Sequence, residues 1–69
     1  MKVTLNKTIY LLPAVQETVE AFEELASFKV SSSGNDIEVE IEIPQDSDAE
    51  VVLDEFLNYA LAESISRRG

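Results

Sequence analysis

The stretch Ile37-Glu38-Val39-Glu40-Ile41-Glu42-Ile43 decides the fold, because apolar β-branched residues alternate in it with glutamates without a break. Side chains of a β-strand point alternately to the two faces of a sheet, so the apolar residues point one way and the carboxylates the other. The segment therefore predicts a strand with one buried face and one solvated face. Pro44 ends the strand, since proline cannot donate a hydrogen bond to a neighbouring strand.

Two shorter strands are predicted nearer the N-terminus. Residues 2–9 alternate between polar and apolar types, and residues 27–30 do so over a shorter length. Residues 31–36 read Ser-Ser-Ser-Gly-Asn-Asp, and these residue types favour turns because they tolerate positive φ or bond their own backbone. The sequence thus predicts a turn between the second strand and the third.

Two amphipathic helices are predicted. Residues 13–26 carry apolar side chains at helical spacing, and Pro13 suits the first turn because its missing N–H would have no partner there. The second helix is expected over residues 48–67. It follows Ser47-Asp48-Ala49-Glu50, which has the pattern of a capping box with Ser47 as the N-cap.

The element order β-α-β-β-α predicts an α+β fold as a single small domain over residues 1–69. A right-handed crossover leaves room for the third strand between the first two, which gives a three-stranded antiparallel sheet in the order 1-3-2 with two helices on one face. This is a ferredoxin-like unit lacking the fourth strand. The order also places Lys2, Thr4, Lys29 and Ser31 beside the glutamates of the third strand. The residues expected to be buried are Val3, Leu5, Val15, Val19, Phe22, Phe28, Val30, Val39, Ile41, Leu53, Phe56 and Leu57.

Composition excludes several classes of function. The 69 residues include five Lys or Arg and fourteen Asp or Glu, for a net charge of −9. Such an acidic surface repels the phosphate backbone, so we expect no nucleic-acid partner. The chain has no Cys and no His, which excludes disulfides, thiolate zinc sites and a His-activated nucleophile. We expect no membrane segment, no targeting segment and a cytoplasmic location.

Carboxylates are the only abundant reactive groups. Asp46, Asp48 and Glu50 resemble the start of a calcium loop, but an EF-hand requires glycine where Val51 stands and glutamate where Leu57 stands. The alternative is a helix N-terminus enriched in acids that complement the helix dipole. We therefore expect no catalytic residue, no metal site and no cofactor.

The second helix carries more apolar side chains than one sheet can cover. With helical spacing of about 100° per residue, its apolar arc spans roughly 240°. Either the first helix covers the excess, or the excess is a surface for a second chain. The candidate partner-binding residues are Val52, Tyr59, Leu61 and Ile65 on this helix, with Val3 and Leu5 on the unpaired edge of the first strand.

Three segments carry a resemblance to a known family. They are residues 9–15 (Ile-Tyr-Leu-Leu-Pro-Ala-Val), the Ile-Glu-Val-Glu-Ile strand and residues 55–61 (Glu-Phe-Leu-Asn-Tyr-Ala-Leu). Together they resemble the small D protein of the His-Xaa-Ser system, which is encoded beside a pair of radical-SAM enzymes and a protein with His-Xaa-Ser repeats. In the last helix, the matching positions are Phe56, Asn58, Leu61 and Ile65, whereas Ala60, Ala62 and Ser66 depart from the family pattern.

The resemblance implies an accessory protein in a peptide-modification system, with radical-SAM enzymes or a His-Xaa-Ser repeat protein as partners. The leading hypothesis from the sequence is therefore a non-catalytic interaction protein that binds a protein partner. The alternatives are a small structural homodimer, and a carboxylate-based calcium-binding module or enzyme.

Overall fold

The computed structural model describes residues 1–68, and its elements follow the predicted order. The three strands form one antiparallel sheet in the order β1-β3-β2, and the two helices lie on one face of that sheet. This confirms the predicted α+β arrangement. The elements are β1 (Lys2–Asn6), α1 (Leu12–Phe22), β2 (Ser27–Ser33), β3 (Asp36–Glu42) and α2 (Ala49–Arg68).

The central strand β3 has the predicted orientation. Its apolar side chains Ile37, Val39 and Ile41 are at most 1% exposed, so they form the floor of the core. Its glutamates lie on the opposite face, where Glu40 is opposite Lys2 on one side and Lys29 on the other. The outer face of the sheet therefore alternates in charge across the strands, which offsets the repulsion within the glutamate row.

The hairpin between β2 and β3 is tighter than predicted. Ser33 pairs with Asp36, so only Gly34 and Asn35 form the loop, and Ser31 and Ser32 belong to β2. Gly34 has φ of 57°, a left-handed conformation that glycine adopts without steric cost. The serines were predicted as a turn because of their composition. They nevertheless belong to β2, because backbone hydrogen bonds to β3 hold this edge strand and apolar side chains are not required there.

Strand β1 is shorter than the predicted residues 2–9. The Asn6 carbonyl accepts hydrogen bonds from the Ile9 N–H (3.0 Å) and the Tyr10 N–H (2.9 Å), and the Asn6 Oδ1 accepts one from the Thr8 N–H (2.8 Å). These bonds turn the chain out of the sheet immediately after Asn6. Lys7 still donates its N–H to the Asn35 carbonyl at 2.9 Å.

The two helices meet through small side chains. Ala14 and Thr18 of α1, and Ala60 and Ser64 of α2, are fully buried and lie four residues apart in each helix. The Thr18 hydroxyl donates to the Ala14 carbonyl (2.7 Å) and the Ser64 hydroxyl to the Ala60 carbonyl (2.8 Å). Both buried hydroxyls are therefore satisfied, which avoids the cost of burying an unpaired polar group.

Phe56 lies at the centre of the core. Its ring stacks on Phe28 of β2, with centroids 4.9 Å apart, and meets the edge of Phe22 at 5.7 Å. Six of the residues predicted to be buried are only half-buried, since a three-stranded sheet leaves the flanks of its core open to solvent. They are Val3, Val19, Phe28, Val30, Leu53 and Leu57.

The bounds of both helices differ slightly from the prediction. Helix α1 ends at Phe22 rather than at Ala26, because the Leu25 and Ala26 N–H groups both bond the Phe22 carbonyl and turn the chain toward β2. Helix α2 begins at Ala49, and its N-cap is Asp48 rather than Ser47. The Asp48 Oδ1 accepts from the N–H groups of Glu50 (3.1 Å) and Val51 (3.3 Å).

The cap assignment gives a test of the local structure. Replacing Asp48 with alanine removes the acceptor for two backbone N–H groups, so we expect the free energy of unfolding to fall by about 1 kcal/mol. Ser47→Ala is the matched control and should change it by less than about 0.5 kcal/mol. Urea denaturation followed by circular dichroism measures both values. A larger loss of stability from Ser47→Ala than from Asp48→Ala would show that Ser47 is the N-cap.

Candidate protein-interaction surface

Helix α2 leaves large apolar side chains in contact with solvent. Val51 is 50% exposed, Tyr59 is 39% exposed and Ile65 is 59% exposed. Val51 and Ile65 are fourteen residues apart, close to four helical turns, so they lie on the same outer side of α2. The first helix therefore covers only part of the apolar excess predicted for this helix.

The predicted binding residues on α2 lie on two flanks. Tyr59 packs edge-on against Phe22 of α1, with ring centroids 5.7 Å apart, so it marks the α1 side. Val52 is half-buried and lies seven residues before Tyr59, on that same side. Leu61 is half-buried and Ile65 is exposed, and helical spacing places both on the side away from α1. These four residues do not form one continuous patch.

The two predicted residues on β1 differ in exposure. Val3 is half-buried and packs against the core, whereas Leu5 is 6% exposed and belongs to the core itself. The Leu5 side chain is therefore not on the surface, and β1 offers a partner mainly its backbone.

The direction of the β1 backbone groups follows from the pairing. Met1 and Ile41 form a doubly hydrogen-bonded pair. The Met1 nitrogen donates to the Ile41 carbonyl (3.0 Å), and the Ile41 N–H donates to the Met1 carbonyl (2.7 Å). Because such pairs alternate along an antiparallel ladder, Val3 and Leu5 also direct their backbone groups toward β3. The groups at the free edge of β1 are therefore those of Lys2, Thr4 and Asn6, whereas the backbone groups of Val3 and Leu5 pair with β3.

The acids proposed as an alternative calcium site do not converge. Within residues 1–68, no three Asp or Glu side chains are grouped so that they could hold a metal ion. The Asp48 carboxylate instead accepts hydrogen bonds from the first turn of α2. The side chains of Asp46, Ser47 and Glu50 beside it are exposed.

Comparisons with known proteins add no relative. No protein-family model, no curated protein and no solved structure matches this chain. Among residues 1–68, no helix has the length and apolar character needed to cross a membrane.

Proposed function

We propose that this protein is a non-catalytic accessory protein that works by binding a protein partner. In accordance with the resemblance of residues 9–15 and 55–61, the proposed setting is a cytoplasmic radical-SAM peptide-maturation system of the His-Xaa-Ser type. The partners would be the radical-SAM enzymes or the His-Xaa-Ser repeat protein.

The exposed apolar side of α2 carries this proposal. Exposed apolar side chains on a small domain are a feature of protein–protein interfaces, and Val51 and Ile65 share one side of the helix, about 21 Å apart with Asn58 between them.

The net charge favours a different protein over a second copy as the partner. Each chain carries a net charge of −9, so two copies repel each other at low ionic strength. A less acidic partner meets no such repulsion. We therefore expect the purified chain to be a monomer in the absence of a partner.

The test uses purified components from the host that encodes the chain: this protein, the two radical-SAM enzymes and the His-Xaa-Ser repeat protein. We expect one of them to bind the chain, and Ile65→Lys to weaken that binding about tenfold or more, because an ammonium group would be placed against the apolar centre of the interface. Ser66→Lys is the matched control on the adjacent exposed position and should bind within about threefold of the parent.

Isothermal titration calorimetry measures these affinities. Binding to none of the components would contradict the proposed function. Equal binding by the Ile65→Lys and Ser66→Lys variants would contradict the assignment of the α2 surface as the interface.

A further inference from the structure

The outer side of α2, which faces away from both α1 and the sheet, is divided along its length into an acidic half and an apolar half. The first half carries one apolar side chain and two carboxylates, all exposed, and the second half carries three apolar side chains. The acidic half is formed by Val51, Asp54 and Glu55, and the apolar half by Leu61, Ala62 and Ile65. A helical spacing of about 100° per residue places all of them within an arc of roughly 120°.

The two carboxylates of the acidic half form no ion pair within residues 1–68. The lysines lie on the opposite face of the sheet or at the β2–β3 hairpin, and they are Lys2, Lys29 and Lys7. Arg67 and Arg68 stand in the last turn of α2. Glu55 precedes Arg67 by about 18 Å along the helix, which exceeds the Debye length of about 10 Å at 0.1 M salt. The carboxylates therefore keep their negative charge for a partner.

The stability of α2 does not account for these carboxylates. A negative charge stabilises a helix through the helix dipole only near its first turn, whereas Asp54 and Glu55 lie beyond the first turn of α2. Glu50 lies four residues before Asp54, and a like-charged pair at that spacing is destabilising. Their charge is thus available to a partner rather than used within the helix.

The geometry of the outer side favours a helix as its occupant. Val51, Asn58 and Ile65 recur every seven residues, which is the spacing at which two helices packed side by side meet. The backbone groups of α2 bond within the helix, so this side offers a partner only side chains. An extended segment would lose water from its own N–H and C=O groups without gaining partners, whereas a helix satisfies those groups internally.

We infer that the outer side of α2 binds an amphipathic helix of the partner that runs antiparallel to α2, with an apolar N-terminal half and a basic C-terminal half. Its apolar side chains would pack on the apolar half of α2. Its lysine or arginine side chains would place their aliphatic stems on Val51 and their cationic groups beside Asp54 and Glu55. The dipole of the partner helix also favours cations at its C-terminus. This inference rests on the proposed function, for which it names the chemistry of the bound segment.

A second copy of α2 fits the full length of this surface less well. In a parallel arrangement its acidic half would lie against the acidic half of the first copy, where like charges repel. In an antiparallel arrangement its carboxylates would lie against the apolar half, where they would lose water without gaining a partner. The occupant is therefore a helix of a different protein.

The test titrates the methyl-labelled protein at low salt with a synthetic peptide, Leu-Ala-Gln-Leu-Leu-Ala-Gln-Leu-Ala-Gln-Lys-Lys-Ala-Gln-Lys-Ala-Gln-Lys, and follows NMR shifts. In a helix, this peptide carries its leucines and then its lysines along one side. We expect the methyl groups of Val51, Leu61 and Ile65 to shift together. We also expect the circular dichroism of the mixture to show more helix than the sum of the two components.

Two charge reversals separate the local contact from the overall charge of the protein. Glu55→Lys changes a carboxylate of the acidic half, and Glu20→Lys changes an exposed carboxylate of α1. Both alter the net charge by the same amount, so long-range attraction to the basic peptide falls equally. We expect Glu55→Lys to weaken binding about tenfold and Glu20→Lys about threefold or less. The spectra report whether each fold is intact, and Asp54→Lys should repeat the effect of Glu55→Lys.

Several results would overturn the inference: no shifts at millimolar peptide, shifts centred outside α2, or equal weakening by Glu55→Lys and Glu20→Lys. Binding without added helix would assign the surface to an extended segment instead. If a host component binds the Glu55→Lys and Glu20→Lys variants equally well, the inference fails while the proposed function stands. If the peptide binds as expected but none of the host components does, the proposed function fails.

Discussion

Replacing Phe56 with alanine is expected to lower the free energy of unfolding by about 3–5 kcal/mol. The side chain is fully buried, stacks on Phe28 and meets the edge of Phe22, so its removal leaves a cavity where β2 and both helices meet. A domain of this length has a total stability of about 3–10 kcal/mol, so the variant should be largely unfolded or close to it.

The control for this prediction is Ile65→Ala on the same helix. Ile65 is 59% exposed, so its truncation should change the free energy of unfolding by less than about 0.5 kcal/mol. Urea denaturation followed by circular dichroism measures both variants. A Phe56→Ala variant within about 1 kcal/mol of the parent would contradict the assignment of Phe56 as the centre of the core.

Replacing Ser64 with leucine is the second substitution with a large expected effect. The Ser64 Oγ accepts the hydrogen bond of the Leu11 N–H at 2.9 Å, and this bond fixes the start of α1, which has no side-chain cap of its own. Leucine would leave that N–H unpaired, which lowers the free energy of unfolding by about 1–3 kcal/mol. Its larger side chain would also not fit between the closely packed helices, which lowers it by about 1–3 kcal/mol more.

Two further variants divide this effect into its parts. Ser64→Ala should show only the loss of the hydrogen bond to Leu11, whereas Ser66→Leu on the exposed side of the helix should change stability by less than about 0.5 kcal/mol. Amide hydrogen exchange at the first turn of α1 provides an independent measurement. If Ser64→Leu were as stable as Ser66→Leu, the described contact between the helices would be contradicted.

The fold was predictable because its strongest signals are periodic. The alternation in residues 37–43 identifies the central strand and its orientation, and the chain order then limits the sheet to the arrangement 1-3-2. Ser64 was not predicted as part of the interior, since serine is usually a surface residue. The available signal was its position on the helix, four residues after Ala60 and within the apolar arc.

The candidate surface was predictable only in part. The excess of apolar residues on α2 could be counted from the sequence, and Ile65 proved to be exposed as a binding residue must be. The identity of the free backbone groups on β1 could not be predicted, because it depends on which residues of β1 and β3 form doubly bonded pairs. The same holds for the approach of Arg68 to Thr8, a contact between residues sixty positions apart.

The central claim is that this chain acts by binding a different protein, and sedimentation velocity tests it most directly. We predict that the purified chain alone sediments as a species of 7.7 kDa, and that it co-sediments with at least one of the partner proteins proposed above when they are mixed. A chain that sediments as a stable dimer alone, or that sediments separately from every one of these proteins at micromolar concentration, would contradict the claim.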